Sequence, residues 1–168
     1  MKKAVLVLGL ALMSLSTFAQ SKIGTIDAEY ILSQMPEMAQ VDEGLKAYNN
    51  DLQKELETTV TKYETLVKDY QANSNGYTEE EKTTKENEII TLENEIKGFR
   101  NKATVMMQMK RNELSEPYYQ KINAAMEEVI KAENYTHIFH ASGNNLAFAS
   151  DQYDITLKVM EKLGISAK

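Results

Sequence analysis

Two long stripes of apolar residues, separated by one short break, constrain this chain more than any other feature. In the first, Val41, Leu45, Tyr48, Leu52, Leu56, Tyr63, Leu66 and Tyr70 recur at spacings of three, four and seven. In the second, Ile89, Leu92, Ile96, Phe99, Ala103 and Met106 step by 3, 4, 3, 4 and 3. Such spacings place side chains on one face of a helix, and the alternation of three and four is a heptad seam. The first stripe asks for a helix of about 35 residues, roughly 50 Å long. Between the stripes lies "NSNGY", 73–77, where Asn and Gly together mark a turn. Thr78 then offers an N-cap with Glu81 three residues on, as in a capping box. Glu79 and Glu80 add negative charge to the first turn, where the helix dipole favours it. Two long helices joined by a tight turn fold back as an antiparallel coiled-coil hairpin. Each stripe is narrow, so the hairpin is expected to be a slender, solvated arm.

Both ends of the chain read differently. "KIGTID", 22–27, is β-prone; Ala28 to Gln34 reads as a short helix, closed before Pro36 because proline disfavours helix at Met35. Pro117 interrupts the second long helix, and Tyr118, Ile122, Ala125, Val129 and Ala132 form a new stripe after it. "YTHIFHAS", 135–142, is β-prone, "GNN" is a turn and "LAFAS", 146–150, a second short strand, which together read as a hairpin. Asp151 or Asp154 can cap a last helix, "ITLKVMEKL", closed by Gly164. The expected fold class is α+β, mostly α. A helical arm over 39–117, with its tip turn near 73–78, stands on a small β-containing body made from 20–38 and 118–168.

Residues 1–19 have the layout of a secretory signal peptide: Lys2 and Lys3, an apolar run from Ala4 to Met13, then Thr17-Phe18-Ala19 before a cut at Gln20. The run is shorter than the roughly 20 residues a membrane-spanning helix needs. Loss of Lys2 and Lys3 takes the formal charge from −6 to −8. An exported chain without cysteine has no disulfides, so packing or association must stabilise it. One protomer offers too few strands to close a sheet, and open edges are a liability that closure removes. The strands also carry apolar side chains on both faces. Self-association is therefore expected through Ile23, Ile26, Ile138, Phe139, Leu146 and Phe148.

"TVMMQMKR", 104–111, holds three of the nine methionines and sits in a stretch, Lys97 to Arg111, that lacks any acidic residue. Met106 continues the seam, but Met107 and Met109 leave it. Methionine adapts to partners of many shapes, and promiscuous surfaces use that property. Lys97, Arg100, Lys102, Met107, Met109, Lys110 and Arg111 are therefore candidates for a soft cationic wall that binds partners of varied shape. The competing reading packs Met107 and Met109 against the body or the first long helix and pairs the basic side chains with Glu55, Glu57 and Glu64. The far end of the arm, Asp69 to Glu95, carries eight acids against two lysines, and reads as a solvated face with Glu81–Lys85 as an i,i+4 pair.

His137 and His140, three apart on a strand, point to opposite faces and cannot share one ion locally; no metal or cofactor is expected. No nucleophile, base and acid can be assembled, so the chain is not read as an enzyme. Net negative charge argues against a nucleic-acid partner. Asn134-Tyr135-Thr136 matches a glycosylation sequon, which matters only in a cell with that machinery.

The order of elements resembles the Skp/OmpH family of periplasmic chaperones. The start "KIGTIDAEYILSQMPE" looks like that family's first strand and short helix. The end "YDITLKVMEKLGI" is similar to its closing helix, with Asp154, Ile155, Thr156, Val159 and Leu163 at matching positions. The resemblance implies a homotrimer in the periplasm whose strands form a common body, with Ile155, Val159 and Leu163 joining its core. Three arms would then enclose unfolded outer-membrane proteins without ATP, with a membrane-surface or lipopolysaccharide contact left open. Familiar members are strongly basic, whereas this mature chain is acidic. The rival reading is an exported coiled-coil spacer or adaptor in the cell envelope.

Overall fold

The computed structural model describes residues 21–142 and 146–166. In chain order the elements are β1 (Ile23–Ile26), α1 (Ala28–Gln34), α2 (Met38–Asn73), a 3-10 turn (Ser74–Gly76), α3 (Glu79–Glu133), β2 (His137–His140), a 3-10 turn (Asp151–Tyr153) and α4 (Thr156–Lys162). The chain divides into two compact units: Pro36–Pro117 is one, and residues before 36 together with those after 117 form the other. The signal-peptide reading of 1–19 and the "GNN" turn lie outside the described residues.

The smaller elements are built by local chemistry that the sequence announces. Asp27 caps α1, its carboxylate accepting from the backbone N–H of Tyr30 at 2.8 Å. The side chain of Asp154 accepts from Thr156 N–H at 2.8 Å and from the Thr156 hydroxyl, fixing the start of α4. That hydroxyl in turn accepts from the backbone of Asp27 at 2.9 Å, which ties the starts of α1 and α4 together. Gly164, with φ 70°, closes α4, and Ile165 N–H reaches back to the Met160 carbonyl at 2.9 Å. Asn134 does the same for α3 at φ 59°, with Tyr135 N–H bonded to the Ile130 carbonyl at 3.1 Å.

β1 and β2 pair in parallel, with Ile23 opposite His137 and Ile26 opposite His140. The expected 135–150 hairpin does not form within the described residues: 146–150 is not a strand. The second edge of β1 is met instead by the segment before α4, through a Thr25–Asp154 bridge and an Ile155 N–H bond to the Thr25 carbonyl at 2.9 Å. That segment binds β1 because Ile155 is drawn fully into the core; "LAFAS" has no such anchor, and Phe148 is 85% exposed. The core of this unit gathers Ile26, Ile31, Leu32, Ile122, Val129, Ile155, Val159 and Met160.

In the other unit, α2 and α3 run antiparallel. Pro117 lies inside α3 rather than ending it, since a helix loses one hydrogen bond there but keeps its packing. The positions of the second seam, Ile89 through Met106, are all half-buried, as a two-helix interface allows. Gly44 admits Leu114, whose Cδ1 would lie 2.9 Å from a Cβ at that position.

Candidate functional site

In the strand-bearing unit, the outer face of the sheet is the notable surface. Paired residues of a parallel ladder project to the same side, so Ile23, Thr25, His137 and Phe139 share one face and Gly24, Ile26 and Ile138 the other. The inner face is tightly filled: a Cβ on Gly24 would lie 2.7 Å from the ring of Tyr135 and 2.9 Å from Ile138. The outer face is partly open: Ile23 is 48% and Phe139 49% exposed, while Thr25 between them is buried. Together with Leu146, Phe148, Ala149 and Tyr153 they line a recess of about 600 Å³. Among the described residues the charged side chain on its edge is Lys22, which is held by Glu133 at 3.1 Å and lies 3.9 Å from the ring centre of Tyr135. Glu133 also takes Lys158 at 2.6 Å. Lys158 first, then Lys22, draws the Glu133 carboxyl below its ordinary range. Contiguous apolar surface of this kind marks an interaction face.

The sequence-predicted body residues fall into three groups. Ile26, Ile155 and Val159 are fully buried inside the protomer, whereas Ile23, Phe139 and Phe148 are exposed; Ile138, Leu146 and Leu163 are half-buried. Tyr153 belongs to the same patch but escaped sequence reasoning, because it stands between two aspartates outside any apolar period.

In the helical unit a groove of about 730 Å³ runs between α2 and α3. Leu45, Leu56 and Val60 form one wall; Ile96, Phe99, Ala103 and Met107 form the other, with Arg100 and Arg111 at its rim. The structure thus brings Arg100, Met107 and Arg111 together and leaves the other candidates outside the groove. Lys97 bonds to Glu93 at 2.6 Å on its own helix, which raises its pKa. Lys102 reaches Glu55 at 3.6 Å, and Lys110 takes Glu113 at 2.8 Å and sits 5.7 Å from the ring of Tyr48. Arg100 and Arg111 make no ion pair among the described residues. Of the expected partners Glu55, Glu57 and Glu64, only Glu55 is used. Met106 is half-buried on the seam, and Met109 is 65% exposed. Sequence reasoning assigned Phe99 to the seam and did not see that the seam leaves a groove beside it.

At the tip, Thr78 and Glu81 form the capping box, with Thr78 N–H donating to Glu81 at 2.8 Å and Glu81 N–H to Thr78 Oγ1 at 3.2 Å. The expected Glu81–Lys85 pair is replaced, because Glu81 is turned back to the cap. Lys85 instead crosses to Asp69 at 2.7 Å. Tyr77 donates to Asp69 at 2.9 Å, Asn73 donates at 2.8 Å, and Tyr70 donates to Glu86. Lys85, Asn73 and Tyr77 hold the Asp69 carboxyl at about 2. Among the described residues no cluster of histidine and carboxylate is arranged to hold a metal, and no helix is long and apolar enough to cross a membrane.

A long helical hairpin joined to a small unit with a two-stranded parallel sheet is the class these elements define. The family described as outer membrane protein (OmpH-like) matches residues 22–163. The chain belongs to that family. Among solved structures it is similar to a proposed outer membrane chaperone (OmpH-like) from Caulobacter crescentus CB15, with a TM-score of 0.53 and 16% identity over 86% of this chain and 85% of that one. At that identity the likeness concerns the fold alone. No curated protein matches the chain.

Proposed function

We propose that this protein is an exported, ATP-independent holdase chaperone of the periplasm, which encloses unfolded outer-membrane proteins between helical arms and prevents their aggregation. The observation that carries this reading is the groove between α2 and α3, apolar along its walls and rimmed by Arg100 and Arg111, which make no ion pair among the described residues. Family membership and the chaperone proposed for the Caulobacter relative support it. In this reading 20–38 and 118–168 form the body, and 39–117 the arm. The apolar patch of Ile23, Phe139 and Phe148 is the face through which three protomers associate. Many weak contacts made together hold the client, and effective concentration inside the enclosure supplies the affinity. No cofactor or nucleotide takes part, and release follows when the client folds into the membrane.

The test is light scattering on dilution of a urea-unfolded β-barrel protein, with and without the mature chain and without ATP. Suppression that saturates near one trimer per client is expected. No suppression across a range of salt would shift the assignment to an envelope spacer. Replacing Met107 and Met109 together with serine should weaken holding and leave the oligomer intact.

A further inference from the structure

The face of α3 turned away from the seam carries no charge. Asn87, Asn94, Asn101 and Gln108 repeat at intervals of seven, and Thr91, Gly98, Val105 and Asn112 follow them four residues on. Positions so spaced make one continuous stripe along a helix. All eight are exposed. The ten charged residues from Lys85 to Arg111 all lie off the stripe. Water alone gives a helix face no reason to exclude charge, least of all in a chain in which 26% of residues are charged. Apolar side chains are exposed there as well: Val105 by 60% on the stripe, Ile90 and Met109 by 53% and 65% on its edges. At its middle, a Cβ on Gly98 would meet nothing within 4 Å, so a second backbone can approach closely.

The charges beside the stripe are ordered along the helix. From Glu86 to Glu95 there are four acids and no base, and from Lys97 to Arg111 five bases and no acid. A helix charged in this way complements a reversed copy of itself. With Gly98 of one α3 facing Asn101 of a second, antiparallel α3, Asn94 falls opposite Val105, Thr91 opposite Gln108 and Asn87 opposite Asn112. On the flank Glu95 then meets Lys102 of the second copy, and the two-fold axis repeats the pair. A parallel copy in register sets Lys97 beside Lys102 on both sides instead. Flanking charges decide the orientation of paired helices, and these favour reversal. Lys102 can turn to the second copy at little cost, because its contact with Glu55 is 3.6 Å long between exposed side chains. Asparagine within such a contact fixes register and lowers stability, so the pairing is weak and reversible.

We propose that this stripe is a second self-association surface, separate from the strand face, through which the hairpins of two copies pair antiparallel. The inference does not depend on the chaperone reading.

The experiment is disulfide trapping on the full mature chain, which has no cysteine of its own. Thr91→Cys and Gln108→Cys chains, both altered at exposed positions, are mixed and oxidised. In the antiparallel pair position 91 lies opposite 108, while the two 91 positions stand about 25 Å apart. Disulfides joining 91 to 108 should therefore dominate over 91–91 and 108–108. Lys102→Glu, built into both chains, should lower their yield about fivefold, the effect of two exposed pairs turned from attraction to repulsion. Adding Glu95→Lys should restore the yield, an outcome that a merely structural role for Lys102 would not give. Raised salt should lower the wild-type yield as it screens the flanking pairs. Dominant 91–91 and 108–108 disulfides would show parallel pairing and overturn the proposal. So would the absence of any disulfide between chains, or a 91–108 yield that Lys102→Glu leaves unchanged.

Discussion

Single side chains in this protein do work that their neighbours make visible. Gly24 is glycine because the ring of Tyr135 and the end of Ile138 occupy the space a Cβ would need. Gly24→Ala should therefore destabilise the strand-bearing unit by about 1–3 kcal/mol, as overpacking does; an unchanged urea midpoint would show that Tyr135 yields freely. Asp69 is a second case. Its folded carboxyl titrates at about 2 against an ordinary 3.8, chiefly through Lys85. A depressed carboxyl contributes stability that is fully present above its unfolded pKa and is lost as pH falls through the folded one. The tip should hold from neutral pH down to about 3.8 and loosen between there and about 2. A carboxyl NMR titration should place the midpoint near 2 in the wild type and closer to the ordinary value in Lys85→Met. A wild-type midpoint at the ordinary value would dismiss the network. Asp69 was legible in the sequence as an acid near a turn, but its main donor was not, since Lys85 lies sixteen residues away across the turn.

Elements here begin and end where short-range signals say. Asp27 opens α1, Thr78 and Glu81 open α3, and Gly164 closes α4; each signal acts within three or four residues and needs no tertiary partner. Thr78→Ala should cost about 1 kcal/mol at the start of α3, seen as faster amide exchange at Glu79–Lys82 with exchange in the strand-bearing unit unchanged. Equal exchange in the variant would mean that the tip network alone sustains the first turn. The β-prone segments were harder to read. "HIFH" and "LAFAS" have similar propensity, yet of these two described segments only the first becomes a strand. The outcome depends on which segment β1 can reach: Thr136 N–H bonds to the Lys22 carbonyl at 2.8 Å and starts the ladder, while Ile155 occupies the other edge. Strand formation is decided by a partner far along the chain, and local pattern does not contain that partner.

The whole molecule poses the question of what covers the outer face of its sheet. Two strands are too few for a stable sheet with an open apolar face. In the reading proposed above, other protomers supply the cover. Replacing Phe139 and Phe148 together with aspartate should convert the assembly to monomers in sedimentation, with far-UV circular dichroism nearly unchanged because the helices do not depend on that face. Retention of the full oligomer in that variant would remove the patch from the association surface.

The amino-acid sequence by itself determined the two long helices, their turn, most of the caps and the acidic tip, because periodicity and capping act over one or two helical turns. It also placed Met107, Arg100 and Arg111 in one basic, acid-free stretch. Lys97 and Lys110 pair within their own helix, with Glu93 and Glu113, but only the tertiary structure decided that Lys102 pairs across to Glu55 while the two arginines line a groove, since such a pair depends on which carboxylate lies within reach. It likewise decided that β1 pairs in parallel with β2 and that Ile26 and Ile155 turn inward while Ile23 and Phe139 face out. Those outcomes follow from contacts more than a hundred residues apart, and no local preference along the chain selects them.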